Sequence, residues 1–168
     1  GLSLFYTDFN RDYIEARVIH KMGRAAVDSN ELFIDNLKVP NDDLVGEEGK
    51  GFSYLIQSLN PERILVAAEA YGIAKNALDR AVKYAKERIV FERTIGKNQS
   101  IQHPLADGWA KLESVKLLIL KAANLYDNKE PCGTEANAAK YLAAEFGIEI
   151  CKQAIATHGG MGYAKEYH

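Results

Sequence analysis

A chain of 168 residues with 47% apolar content is long enough to bury one core. A formal charge of −2, from 21 Lys and Arg against 23 Asp and Glu, argues against nucleic acid as its main partner. No apolar run reaches the ~18 residues that cross a bilayer, so no membrane span is expected. Two cysteines, Cys132 and Cys151, lack ligand-like neighbours, which fits a reducing compartment. No signal segment opens the chain. It begins without Met inside what reads as a strand, so an upstream segment is expected.

The first fifty residues read as β. Strands are predicted at 2–6 and 13–19, with the strongest over Glu31–Val39 before Pro40 and a polar Asn41-Asp42-Asp43. These strands are too few to close a sheet, so partner strands are expected upstream. Gly46-Glu-Glu-Gly-Lys-Gly then reads as a hinge, because it lacks the Lys-Ser/Thr of a phosphate-binding loop. It separates a β part, 1–50, from a helical part, 51–168.

Three long helices follow. The first starts at Gly51 and carries Phe52, Leu55, Ile56 and Leu59 on one face. Asn60-Pro61 is expected to break it, as an N-cap followed by a first helical Pro. Beyond the break, Ile64, Ala67, Tyr71, Ala74, Leu78, Ala81 and Ala85 keep the period to about Phe91. The second helix is predicted over Gln99–Asp127, with Ile101, Leu105, Trp109, Leu112, Ile119, Ala122 and Tyr126 on its stripe and Pro104 in its opening turns. The third starts with Thr134 as cap, turns Ala138, Leu142, Phe146 and Ile150 to a core, and stops at His158-Gly159-Gly160. The fold class is therefore mainly α: a partial antiparallel β segment, then an incomplete up-down four-helix bundle with its last helix expected beyond His168.

The residues alone leave Glu62 open. It is either a carboxylate favourably placed at a helix N-terminus, worth ~0.3–1 kcal/mol, or a catalytic base. Arg63 lies about 100° further around the helix and reads as an ion-pair partner of Glu69 or of the strands expected upstream. Arg88 reads as a solvent-facing cation and Phe91 as core. Gly159 and Gly160 read as a plain helix cap. His103 and His158 lack paired metal ligands at workable spacing, so no metal site is expected.

Taken in order, Glu31-Leu-Phe-Ile-Asp-Asn-Leu-Lys-Val-Pro, Gly46-Glu-Glu-Gly-Lys-Gly-Phe, Glu62-Arg63, Tyr84-Ala-Lys-Glu-Arg-Ile-Val-Phe, Gln99-Ser-Ile-Gln and His158-Gly-Gly-Met-Gly-Tyr resemble the acyl-CoA dehydrogenase family over essentially the whole chain. The resemblance implies the end of a middle β domain and most of a C-terminal helical bundle, with FAD as cofactor. It implies an enzyme that abstracts the α-proton of an acyl-CoA thioester while a β-hydride passes to the flavin, leaving a trans-2-enoyl-CoA. It implies Glu62 as base, with a segment beyond His168 as the rival location, and Asn60, Arg63 and Ser53 along the substrate entrance. For FAD it implies Arg88 on the pyrophosphate of a neighbouring subunit, Phe91 near the flavin, Gln99 on the same cofactor, and Gly159 and Gly160 at the adenosine end.

Two positions depart from the family pattern. Glu92 stands where Gly is usual, and a carboxylate there is unfavourable beside a pyrophosphate unless it turns away or pairs with Arg93. Ala156 stands where Gln is frequent. The implied partners are acyl-CoA, an electron-transfer flavoprotein and further copies in a homodimer or homotetramer, in a bacterial cytoplasm or a mitochondrial matrix. An acyl-CoA oxidase and a non-catalytic helical assembly module are the alternatives; Glu62 argues against a nitroalkane oxidase, which uses Asp.

Overall fold

The computed structural model describes residues 1–167 and divides into two compact units, 1–56 and 57–168. In the first unit, β1 (Leu4–Phe5) pairs antiparallel with β4 (Leu44–Val45), and β2 (Ile14–Val18) pairs with β3 (Asn30–Ile34). The strand predicted over Glu31–Val39 ends early, because Asn36 adopts φ 52° and turns the chain. Two residues of the 35–45 segment resume pairing as β4, too short a run for alternation to reveal.

Helix α1 spans Gly51–Glu87 without interruption, with Pro61 inside it. The expected break at Asn60-Pro61 is therefore corrected. Pro61 offers no N–H to the Gln57 carbonyl, yet the helix continues because packing holds the turns that follow it. Ile64 and Ala67, within two turns of Pro61, join Val115, Ile119, Ala139 and Ala143 in one core cluster. With no helix end at Pro61, the helix-terminus reading of Glu62 falls away. The helix also stops at Glu87, short of Phe91.

A tight hairpin follows. β5 (Ile89–Val90) pairs with β6 (Arg93–Thr94), leaving Phe91 and Glu92 as the two turn residues. Helix α2 spans Gln99–Asp127 and α3 spans Gly133–His158. The connection over 128–132 is short, and α2 and α3 pack as neighbours. Cys132, not Thr134, occupies the α3 cap position, and no side chain caps that end.

The second unit is built on small residues. Ala74, Leu78, Ala81 and Ala85 of α1 meet Leu105 and Leu112 of α2 and Ile150 and Ala154 of α3. Gly108 belongs to this contact: a Cβ there would lie 3.3 Å from Ile150 Cγ1. The stripe predicted for α2 needs correction at two places. Trp109 is 61% exposed and Tyr126 47%, whereas Gly108 and Val115 are buried. On α3 the buried face runs Ala136, Ala139, Ala143, Gly147, Ile150 and Ala154. Ala138, Leu142 and Phe146 flank it half-buried. A size-weighted reading places the large side chains inside; close helix approach selects the small ones instead.

Candidate active site and cofactor residues

Glu62 is exposed, and its neighbours Asn60 and Arg63 are half-buried. Arg63 Nη1 donates to Asn60 Oδ1 at 3.1 Å across an i, i+3 step of α1. The acceptor found for Arg63 is thus one turn back in the helix. Asn60 also lies against the start of α3, where a Cβ on Gly133 would sit 3.8 Å from Asn60 Oδ1. Gln57, Asn60, Cys132 and Gly133 line a recess of about 780 Å³ with the α2–α3 connection. Ser53 is exposed, and its hydroxyl donates to the Lys50 carbonyl at 2.8 Å.

The residues implied for FAD gather at the other end of α1. The Arg88 N–H bonds the Tyr84 carbonyl at 2.8 Å. The Tyr84 ring stacks on His158 with centroids 4.4 Å apart, and Gly159 follows directly. The end of α1 and the end of α3 therefore meet, flanked by Arg88 on one side and Gly159-Gly160 on the other. The α2 start is laid on the same turn. Gly96 packs so closely that a Cβ there would lie 2.8 Å from the Ala85 carbonyl, and Gln102 Nε2 donates to the Gly96 carbonyl at 2.7 Å. Gln99 opens α2 beside them.

Arg88, Phe91, Gln99, Gly159 and Gly160 are all exposed, Phe91 to 94%. The reading of Phe91 as core is thus corrected. Gly159 has φ 59° and ψ −135°, a conformation that requires glycine. Gly160 has no such need, and a Cβ there would meet open space.

The hairpin turn bears on one departure, Glu92. Phe91 and Glu92 have φ 51° and 65°, the mirror-image two-residue turn that favours Asn-Gly. Glycine belongs at Glu92 for its backbone. Arg93 Nη2 donates to Asn98 Oδ1 at 2.6 Å, and no ion pair of Glu92 is found among the described residues. His158 uses Nδ1 on the Ala154 carbonyl at 2.8 Å. No group of three or more metal-ligating side chains occurs among the described residues. Burial raises the Cys151 thiol pKa.

From Glu62 to Arg88 is 26 residues of chain, about 39 Å at the 1.5 Å helical rise. One copy thus holds the Glu62–Arg63 group and the Arg88–Gly159 group at opposite ends. The sequence pattern named the members of both groups; the Tyr84–His158 stack and the Asn60–Arg63 bond carried no sequence signal beyond helical spacing.

Residues 49–168 match the family model of the acyl-CoA dehydrogenase C-terminal domain. Over 168 residues the chain is 41% identical to the caffeyl-CoA reductase-Etf complex subunit CarC of Acetobacterium woodii, covering 99% of this chain and 44% of that protein. It is 42% identical to the 3-(aryl)acrylate reductase of Clostridium sporogenes, covering 99% and 45%. The solved butyryl-CoA dehydrogenase of Megasphaera elsdenii superimposes with a TM-score of 0.89 at 35% identity, covering 99% of this chain and 44% of that one. The chain spans less than half the length of these relatives. Its fold, its ordered motifs and these matches place it in one group: the chain belongs to the acyl-CoA dehydrogenase family, and residues 49–168 carry that family's C-terminal helical domain.

Proposed function

We propose that this chain is part of an FAD-dependent enzyme that removes hydrogen across the α,β bond of an acyl-CoA thioester, with Glu62 as the base. The observation that carries the reading is an exposed carboxylate beside the half-buried Arg63–Asn60 pair, in a chain of this family. Glu62 accepts the α-proton as the α C–H bond breaks. The β-hydrogen leaves with its electron pair, and the Cα=Cβ bond forms. FAD, when bound, supplies the two-electron acceptor for that hydrogen.

The residues at the far end of α1 fit that cofactor. Arg88 presents a planar donor fork suited to a pyrophosphate, Gln99 adds an amide, and the open Cβ position of Gly160 admits close backbone approach. Because about 39 Å of helix separates Arg88 from Glu62, we assign the Arg88 end to the cofactor of a neighbouring copy in a homodimer or homotetramer. Asn60, Arg63 and Ser53 are the residues we assign to the substrate entrance. An electron-transfer flavoprotein is the proposed acceptor, and a reducing bacterial cytoplasm or mitochondrial matrix the proposed location.

A second reading runs the same site backwards. Two relatives above 40% identity are named as reductases of a caffeyl-CoA and of an arylacrylate. Protonated Glu62 then delivers its proton to the α-carbon while a hydride, which reduced FAD would supply when bound, adds to the β-carbon and the double bond is consumed.

The test uses the full-length flavoprotein without oxygen. Acyl-CoA should bleach the flavin while enoyl-CoA forms, or enoyl-CoA should be reduced when the flavin is supplied already reduced. Arg88→Ala and Gly160→Ala should each fold normally yet lose flavin. Flavin retention in both variants would place the cofactor elsewhere, and failure of both half-reactions would refute the activity.

A further inference from the structure

One exposed face of α2 carries large apolar side chains in a regular order. Trp109, Glu113, Lys116 and Leu120 stand at i, i+4, i+7 and i+11, and at 100° per residue they fall within about 60° of arc. Trp109 is 61% and Leu120 56% exposed, and Leu117, 67% exposed, lies at the edge of the stripe. A single exposed Leu needs no explanation, but a Trp and two Leu gathered on one face mark a contact surface. Glu113 and Lys116 sit between them as an ion pair at 3.7 Å, too long for a hydrogen bond. Lys75 of α1 also feels the Glu113 charge, but it is bonded to Asp79 at 2.5 Å.

The order of these side chains selects the partner. Read backwards, Leu120, Lys116, Glu113 and Trp109 keep the same spacing, apolar at both ends and oppositely charged in the middle. Two copies of α2 laid antiparallel across a two-fold axis at the middle of 109–120 bring Trp109 of each against Leu120 of the other. The same axis brings Glu113 of each against Lys116 of the other. A second copy therefore meets its own pattern, which is what an isologous contact requires.

We propose that this face of α2 is a self-association surface, on which a second copy packs antiparallel through Trp109–Leu120 and Glu113–Lys116 pairs. The stripe carries far fewer residues than the roughly 20–30 a side of a stand-alone interface. It joins copies already held together elsewhere, and so makes a tetramer from two dimers. That last step rests on the reading of the Arg88 end as a first contact between copies.

The test reads the mass of the full-length flavoprotein by sedimentation at about 0.1 M salt, where the Debye length of about 10 Å leaves a close pair unscreened. The wild type should be a tetramer. Glu113→Lys and Lys116→Glu each set like charges across the axis, and each should halve the mass while flavin content and melting temperature hold. Mixed in equal amounts, the two variants are complementary again, and the tetramer should return. The pair inside each copy stays broken on mixing, so only a contact between copies accounts for that recovery. Single variants that stay tetrameric, or a mixture that stays at half mass, overturn the proposal. A lower melting temperature at unchanged mass also overturns it and gives the face to another segment of the same chain. A wild-type dimer overturns the α2 contact and leaves the Arg88 reading standing, whereas a wild-type monomer overturns both.

Discussion

Replacing Glu92 with glycine should make the protein more stable, although it removes a side chain and a charge. Glu92 sits at φ 65° in the two-residue turn between Val90 and Arg93. A left-handed conformation costs an L-residue roughly 1–2 kcal/mol. Glycine removes that cost but orders a more flexible chain, which takes back about 0.4–1 kcal/mol. The net gain is about 1 kcal/mol, or roughly 2–4 °C in melting temperature for a chain of this size. Thermal unfolding of Glu92→Gly beside Glu92→Ala separates two causes. Alanine loses the same charge but keeps the strained backbone, so it should gain little. An equal gain in both variants would mean the charge, not the backbone, was unfavourable, and no gain in Glu92→Gly would refute the turn argument.

Three further outcomes follow from the packing and the charges. Pro61→Ala restores the hydrogen bond to the Gln57 carbonyl and should stabilise α1, by up to about 3 kcal/mol in denaturant unfolding. Val115 is fully buried between α1 and α3, so Val115→Ala should cost about 2–3 kcal/mol in the same measurement. Lys121, 3.0 Å from Glu135, and hydrogen bonding at the α3 start hold the Glu135 carboxyl below its usual range. A depressed folded value stabilises above the unfolded one and is lost as pH falls through the folded one. The stability advantage of the wild type over Glu135→Gln should therefore be full at neutral pH and shrink on acidification below about pH 4.5, as read by urea midpoints.

Helical periodicity located α2 at its observed bounds and placed the start of α3 two residues late, because their buried faces repeat over many turns. It failed where local chemistry and packing disagree. Asn-Pro carries the local signature of a helix start, but Ile64 and Ala67 are anchored in the core and pull the helix straight through. Trp109 looked like core by its size, yet Gly108 beside it is what lets α2 approach Ile150. The hairpin at Phe91-Glu92 was hidden because its second turn residue is not glycine. The candidate site was legible only as motifs in order. That Arg63 is held by Asn60, and that Arg88 and Gly159 share one end, depends on contacts between turns and between helices.

The central claim is that Glu62 moves the α-proton. Exchange of the α-protons of an acyl-CoA with deuterium from solvent, measured on full-length Glu62→Gln with its flavin bound, tests it most directly. The account predicts a loss of about 10²–10⁴-fold in exchange at unchanged flavin content. Exchange at the wild-type rate would contradict it and place the base on another carboxylate.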